Sequence, residues 1–206
     1  MIGLVGQKGT MTQLYDEKTG AVIPVTAIEV GECVVVGKRT VGRDGYNALQ
    51  IGQGRPTKRQ LTRPVAGVYK RAGVEPKRWL REVRVDNVDA YQVGQKLTVE
   101  LFAPGDIVTV TGRTRGRGFS GGMRRWGWAG GPDSHGSMSH RRIGSVSSGS
   151  SPGRVYPHRT LPGHYGNEKL TVRGLKVVRI DKERGLLYVR GAIPGHRGSE
   201  VMVRKG

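Results

Sequence analysis

The sequence predicts a mainly β fold, in which a closed or nearly closed β-barrel carries a small α/β insert and a long, irregular, basic extension. Short β-branched runs recur along the chain, and turn residues separate them, which is typical of all-β folds. Strand character then stops for some fifty residues after Thr111 and resumes at Lys169. A closed barrel is the simplest arrangement of the strands on both sides, because closure removes free sheet edges.

The candidate strands are read in order from apolar runs and turn signals. Gly6 and Gly9, after the first run, are typical of turns, as is the charged stretch 16–20. Pro24 favours an edge position or a bulge, because proline cannot donate a ladder hydrogen bond. Alternation of Leu97, Val99 and Leu101 indicates a further strand. The candidates cover residues 2–5, 21–30, 32–40, 46–53, 79–85, 95–106, 106–114, 170–180, 186–195 and 200–205.

The insert near residues 55–80 is basic and contains a candidate helix from Val65 to Ala72. Pro64 suits the start of this helix, and Gly73 suits its C-terminal cap. We therefore assign residues 1–111 and 167–206 to the β-barrel domain. Residues 112–166 form an extended arm that leaves the barrel and returns to it.

Charge identifies the class of partner. The 206 residues carry a net charge of +19 with a pI near 10.8, whereas solubility alone needs only ~2–8 charges on a small domain. Nucleic acid is the leading partner, and an anionic membrane is second. We expect no membrane partner, because no apolar run approaches the ~20 residues that span a bilayer. Without a signal or transit pattern, and with a lone Cys33, we expect a cytoplasmic protein.

The stretch from Arg113 to Gly166 holds nine Arg, four His and one carboxylate, Asp133. Guanidinium groups match phosphate oxygens, glycine lets backbone amides approach them, and Trp rings stack on unpaired bases. Ordering such a segment costs ~1–2 kcal/mol per residue, so its partner must be large. Folded RNA fits better than DNA, because the stretch offers no helix or ribbon for a groove. The predicted RNA contacts are Arg113, Arg115, Arg117, Arg124, Arg125, Trp126, Trp128, His135, His140, Arg141, Arg142, Arg154, His158, Arg159 and His164.

Other interpretations of these residues remain open. The Trp pair can form a small satellite core, and the later arginines can belong to a solvated loop. Gly116, Gly118 and Gly121 match the dinucleotide fingerprint, but no βαβ pattern surrounds them. Consecutive Asp133, Ser134 and His135 cannot form a hydrolase relay. The four His lack Cys or acidic ligands at zinc spacing. We therefore expect no enzyme, no cofactor and no metal.

Several motifs resemble the bacterial family of large-subunit ribosomal protein three across essentially the whole chain. The most specific is RGRGFSGGMRRWGWAGGPDSHGSMSHRR, followed by SPGRVYPHRTLPGHYGNEKLTVRGLKVV and VRGAIPG. The N-terminal TMTQ and the stretch YKRAGV also match. Two positions depart from the family. Thr10 stands where Gly is usual, and Ser148 and Ser150 stand where many relatives carry Gln, one of them N-methylated.

The resemblance implies a six-stranded, translation-protein-like β-barrel with a small insert. It also implies an extension that threads through large-subunit (23S) rRNA towards the peptidyl transferase centre. The family binds early in subunit assembly, beside proteins fourteen and nineteen, and performs no chemistry. Two rivals remain, a non-ribosomal RNA chaperone and an RNA-acting enzyme with a Gly-rich active-site loop.

Overall fold

The computed structural model describes residues 3–16 and 19–206. They form a mainly β chain, as predicted, while the predictions for Ile2, Glu17 and Lys18 lie outside the described residues. The helices are α1 (Val41–Asp44), α2 (Arg63–Ala72) and α3 (Gly122–Trp126). The strands are β1 (Gly3–Tyr15), β2 (Val22–Glu29), β3 (Cys33–Arg39), β4 (Ala48–Gln53), β5 (Trp79–Arg84), β6 (Lys96–Leu97), β7 (Ile107–Arg113), β8 (Phe119–Ser120), β9 (Gly163–His164), β10 (Lys169–Asp181), β11 (Leu186–Arg190) and β12 (Glu200–Lys205).

The chain divides into two compact units. The body comprises Met1–Thr114 and Lys169–Gly206, and the arm comprises Arg115–Glu168. The strands β7 and β10, which lead into and out of the arm, pair with each other, and Arg113 lies opposite Lys169. The two ends of the body that hold the arm are therefore neighbours on one sheet.

Six strands of the body form a closed ring of antiparallel pairs in the order β1-β12-β7-β10-β11-β2. Alternating β-branched and aliphatic residues place one face of each strand inside, as period-two patterning requires. The fully buried side chains of these strands, inside the ring or against the rest of the body, include Leu4, Val5, Ile28, Val108, Val110, Val177, Leu187, Val189 and Val203. Burial of these apolar side chains is the main favourable term in closing the ring.

A second antiparallel sheet, in the order β5-β4-β3-β6, belongs to the same body and shares its apolar core. Its outer surface carries a polar cluster in which Glu82 accepts hydrogen bonds from Arg39, Tyr46 and Gln50. These donors hold the pKa of the Glu82 carboxyl below its usual range. The helix α2 lies between β4 and β5, begins beside Pro64 and ends at Gly73 in the left-handed region, as predicted.

Two predicted turns are wrong, because Gly6 and Gly9 lie inside β1. These two glycines allow β1 and β2 to approach each other closely. A Cβ on Gly6 would lie 2.8 Å from Ile28, and one on Gly9 would lie 3.0 Å from the Ala27 carbonyl oxygen. The register of the β1–β2 pairing shifts between Lys8 and Met11, the stretch that contains Gly9. Glycine within a strand commonly marks such a bulge.

Strand β2 pairs with both β1 and β11, but Pro24 itself lies at an edge position, as predicted, outside the β2–β11 register. Pro24 lies next to the last β2–β11 register pair, which is Val25 with Arg190. There its carbonyl accepts the Gly191 N–H at 2.8 Å. The missing proline N–H therefore removes no bond from the β2–β11 ladder.

The predicted strand through Leu97, Val99 and Leu101 is also wrong beyond its first residues. Strand β6 ends at Leu97, and Val99–Leu101 form a 3-10 turn. Leu97, Val99 and Phe102 are nevertheless buried in the body's core. The alternation of apolar residues indicated their burial correctly. A tight turn buries these side chains as well as a strand would. No helix within the described residues is long and apolar enough to cross a membrane.

Candidate nucleic-acid interface

The arm has a short regular root. Phe119 pairs with His164 in the β8–β9 ribbon. Two backbone bonds extend this ribbon, from Arg117 N–H to the Tyr165 carbonyl (2.8 Å) and from Tyr165 N–H to the Gly118 carbonyl (3.0 Å). The helix α3 follows directly and ends at Gly127 in the left-handed region. The remaining chain, residues 128–162, has no regular helix or strand.

The two tryptophans of the arm are held by residues on the opposite side of its loop. Trp126 Nε1–H donates to the Leu161 carbonyl (2.9 Å), and Trp128 Nε1–H donates to Thr160 Oγ1 (3.3 Å). Trp128 is half-buried and covers Gly122, where an added Cβ would collide with the indole. Trp126 keeps 47% of its surface exposed. Trp128 therefore helps to hold the arm together, while Trp126 stays partly exposed, with the Arg125 guanidinium 4.9 Å from its ring centroid.

Most of the predicted contact residues are exposed, and Arg125 and Trp128 are half-buried. The guanidinium groups of five of them have no hydrogen bond or ion pair with any described residue. These are Arg115, Arg117, Arg124, Arg141 and Arg142. An exposed cation without an acidic partner keeps its full charge available for an anion.

Three other arginines of the arm bind within it. Arg125 Nη1–H donates to the Leu161 carbonyl (2.9 Å), and Arg159 Nη2–H donates to the Ser145 carbonyl (2.9 Å). Arg154 lies 5.3 Å from the ring centroid of Tyr156. Carbonyls and rings leave the charge uncancelled, so these groups both fix the loop and add to its positive field. Arg113 lies in the body, at the end of β7.

The histidines are dispersed along the arm. His140 Nδ1 lies 2.8 Å from the Pro132 carbonyl and 3.5 Å from the exposed carboxylate of Asp133. His135 and His158 occupy left-handed backbone positions, and the His164 ring contacts Phe119 edge to face. No group of three or more His, Cys, Asp or Glu side chains is arranged for a metal ion among the described residues.

Sequence patterning missed several exposed apolar side chains in the arm. Phe119 is 73% exposed and Met138 is 89% exposed, and Tyr156 and Tyr165 also face solvent. In the body, the Arg78 guanidinium lies 4.5 Å from the Trp79 ring centroid, beside the basic insert. Nothing in the residue pattern distinguishes an exposed aromatic side chain from a packed one, so only the fold reveals their exposure.

The body and the arm together define a class. The arm carries eight Arg against two carboxylates, Asp133 and Glu168, and a closed ring holds both of its ends. Such an excess of positive charge on one segment attracts polyanions, which is typical of the class of nucleic-acid-binding proteins.

Comparisons with known proteins identify the family. The model of the family described as ribosomal protein L3 matches residues 82–186. The chain is 48% identical to large ribosomal subunit protein uL3 of Fervidobacterium nodosum, over 89% of this chain and 88% of the relative. It is 49% identical to the uL3 of Carboxydothermus hydrogenoformans, over 90% and 88%, and 48% identical to that of Thermotoga maritima, over 89% and 87%.

The chain belongs to the ribosomal protein L3 family, and the resemblance predicted from its arm motif is confirmed. It is accordingly a structural protein of the ribosome and not an enzyme.

Proposed function

We propose that this chain is a structural constituent of the large ribosomal subunit and binds large-subunit (23S) rRNA mainly through its arm. The observation that carries the proposal is the set of five exposed arm arginines without partners among the described residues. The names of the relatives support the same assignment. The protein is located in the cytoplasmic ribosome of bacteria.

The mechanism is electrostatic and steric. Arginine neutralises phosphates that crowd together in folded RNA, and its planar fork binds two oxygens at once. Glycines keep the arm narrow and bring backbone amides close to phosphates. Exposed Trp126, Phe119 and Tyr156 offer faces for unstacked bases, each worth ~1–3 kcal/mol. Trp128 and Arg125 act within the arm, by fixing the loop that presents the others.

The finer features of the proposal follow the family. We infer that the ring is the six-stranded β-barrel of that family and stays near the subunit surface. The arm extends through rRNA towards the peptidyl transferase centre, and the protein joins early in assembly. Proteins fourteen and nineteen of the large subunit are its proposed neighbours. The closed order of strands and the adjacent roots of the arm support this arrangement.

Filter binding to large-subunit rRNA over a salt series tests the proposal. The test variant replaces Arg115, Arg117, Arg124, Arg141 and Arg142 by Gln. The matched control replaces five exposed body arginines, Arg63, Arg71, Arg173, Arg179 and Arg190, by Gln. The two variants therefore have equal net charge. The arm variant should lower the slope of log affinity against log salt by ~0.7–0.9 for each lost phosphate contact.

Equal losses in the two variants would mean that net charge, and not the arm, governs binding. A wild-type affinity that does not change with salt would contradict the proposed mechanism. Sedimentation separates the ribosomal assignment from an RNA chaperone. The chain should remain with large subunits at one copy per particle through high-salt washes, whereas a chaperone would be released.

A further inference from the structure

Strand β1 extends beyond one of its two neighbours. On the β12 side, the register pairs run from Gly3 to Gln7, and Lys8 N–H adds a bond to the Ser199 carbonyl at 2.8 Å. On the β2 side, pairing continues to Tyr15, which lies opposite Val22. Within the described residues, the segment Thr10–Tyr15 therefore has a strand neighbour on one side alone. We call its other side the β1 edge.

The register shows which backbone groups face the β1 edge. The Pro24 carbonyl binds Gly191, so the backbone of Pro24 faces β11. Gln13 lies opposite Pro24 and must face the other way, because paired residues in an antiparallel ladder point both inward or both outward. Alternation then directs the N–H and C=O groups of Met11 and Tyr15 outward as well. No described backbone group bonds them there.

The β1 edge lacks the features that normally prevent strand addition. Proteins protect an open edge with proline, lysine or an inward charge. The segment from Thr10 to Tyr15 contains none of these residues. The opposite edge of the same hairpin is protected, since Pro24 has no N–H and Gly191 occupies its carbonyl. Two large apolar side chains lie beside the open edge, with Met11 56% and Tyr15 65% exposed, and the uncharged Gln13 lies between them.

We propose that the β1 edge binds an extended, uncharged segment of another protein of the large subunit, which adds to β1 as a further strand. This inference rests on the proposed function. Strand addition supplies backbone hydrogen bonds, and alternate side chains of the added strand meet the apolar face. RNA does not suit this site, because an RNA contact depends on cations and residues 9–16 contain none. A second copy does not suit it either, because each chain carries a net charge of +19 and the copies repel.

Residue-resolved amide hydrogen exchange tests the site in three samples: the free chain, the chain with naked large-subunit rRNA, and the chain assembled into large subunits. The outward amides of Met11, Gln13 and Tyr15 should exchange fast in the first two samples. They should become at least tenfold slower in subunits. The inward amides of Thr12 and Leu14, which bond β2, are the internal reference.

Each other outcome overturns the inference. Protection with naked rRNA would make RNA the occupant, and protection in a free chain that sediments as a dimer would make it a second copy. Fast exchange in subunits would leave the edge unoccupied, although the proposed function would stand. A chain that neither binds rRNA nor enters subunits would overturn the proposed function and this inference together.

A pair of variants gives an independent measure. Gln13→Pro removes one outward N–H and leaves the bonds of Thr12 and Leu14 to β2 intact, whereas Gln13→Ala keeps that N–H. In competition with the wild-type chain, Gln13→Pro should enter subunits about tenfold less, from a lost hydrogen bond and a blocked edge. Gln13→Ala should compete nearly equally, and both variants should keep wild-type affinity for naked rRNA. If Gln13→Pro does not fold, hydrogen exchange on the wild-type chain decides.

Discussion

Two adjacent glycines in the arm have opposite surroundings. Gly121 has open space where a side chain would begin, whereas the same position on Gly122 is filled by the indole of Trp128. Neither glycine has a positive φ angle, so substitution tests packing rather than backbone strain. The pair therefore separates the role of Trp128 in the fold of the arm from any role in binding.

Gly122→Ala should displace Trp128 and loosen the arm, since overpacking costs ~1–3 kcal/mol. Limited proteolysis of the free protein should then cut within residues 115–168 several-fold faster than in wild type. Gly121→Ala is the control and should be cut at nearly the wild-type rate. Equal cleavage of the two variants would show that Trp128 does not hold the arm.

Burial controls the chemistry of Cys33. The thiol donates to the Val5 carbonyl (3.1 Å) inside the core, and desolvation raises its pKa to about 11. Because the folded-state pKa exceeds the unfolded value, the thiol's contribution to stability is complete below about pH 9. It is lost as pH rises towards 11. The native protein should react with a thiol reagent at pH 8 only after unfolding in urea. Rapid labelling without urea would contradict the buried site.

The same group predicts a pH dependence of stability. Between pH 9 and 11 the free energy of unfolding should fall more steeply in wild type than in Cys33→Ala, because the variant lacks this titration. Urea denaturation at several pH values measures both slopes. Parallel slopes would mean that Cys33 has similar pKa values in the folded and unfolded states.

At this scale the sequence predicted residue types better than contacts. The arginines and tryptophans of the arm stand out by composition alone. Composition does not show which of them are free of partners. Arg125 and Trp126, for example, bond the Leu161 carbonyl, which lies more than thirty positions away in the sequence. A bond to a main-chain carbonyl leaves no trace in the identity of the partner residue. Sequence reasoning could therefore not separate the arginines that fix the loop from those that remain available.

Among the elements, the long strand β10 depends on one glycine. Its pairing with β7 shifts register between Val172 and Leu175, and Gly174 within this bulge has a φ of 73°. No atom lies within 4 Å of the position where its side chain would begin. The requirement for glycine is therefore conformational and not steric.

Gly174→Ala should lower the free energy of unfolding by ~1–2 kcal/mol, the cost of a left-handed backbone in a residue with a Cβ. Gly174→Asn should cost less, because asparagine tolerates this region better. Chemical denaturation of the two variants and the wild type provides the comparison. A similar loss in both variants would mean that the left-handed conformation is not the reason for glycine here.

Strand positions were predicted well where β-branched runs were bounded by turn residues, as at Cys33–Arg39, although the strand predicted at 186–195 ends at Arg190. Errors arose where tertiary packing overrode the local signal. Gly6 and Gly9 lie in a strand because neighbouring strands approach them closely, and Val99 is buried by a turn. Neither outcome is determined by residues nearby in the sequence.

In the whole molecule, the pairing of Arg113 with Lys169 makes the body independent of the arm's length. A chain in which residues 115–168 are replaced by a short Gly-rich turn should still close its ring, because adjacent strand ends need only a hairpin. It should unfold cooperatively with a midpoint near that of wild type. It should also lose most of its affinity for large-subunit rRNA. A shortened chain that does not fold would show that the body requires the arm.

The mainly β class and the interruption by the arm could be predicted from the sequence, but the order of the strands around the ring could not. Strand β1 lies between β2 and β12, and nothing in the composition of residues 200–205 specifies β1 as their neighbour. Such pairing depends on the shape of the complete core, which is assembled from distant segments.

The pairing of β1 with β12 also determines when the ring can close during synthesis. Residues 3–7 cannot pair with β12 until residues 200–205 have been synthesised. The entire arm is therefore translated before the ring that holds its ends is complete. The second sheet needs no residue beyond Leu97 for its own pairing and can form earlier. Contacts between segments so distant in sequence form slowly. A nascent chain therefore carries its complete cationic arm, with the roots β7 and β10 able to pair, before the ring can close.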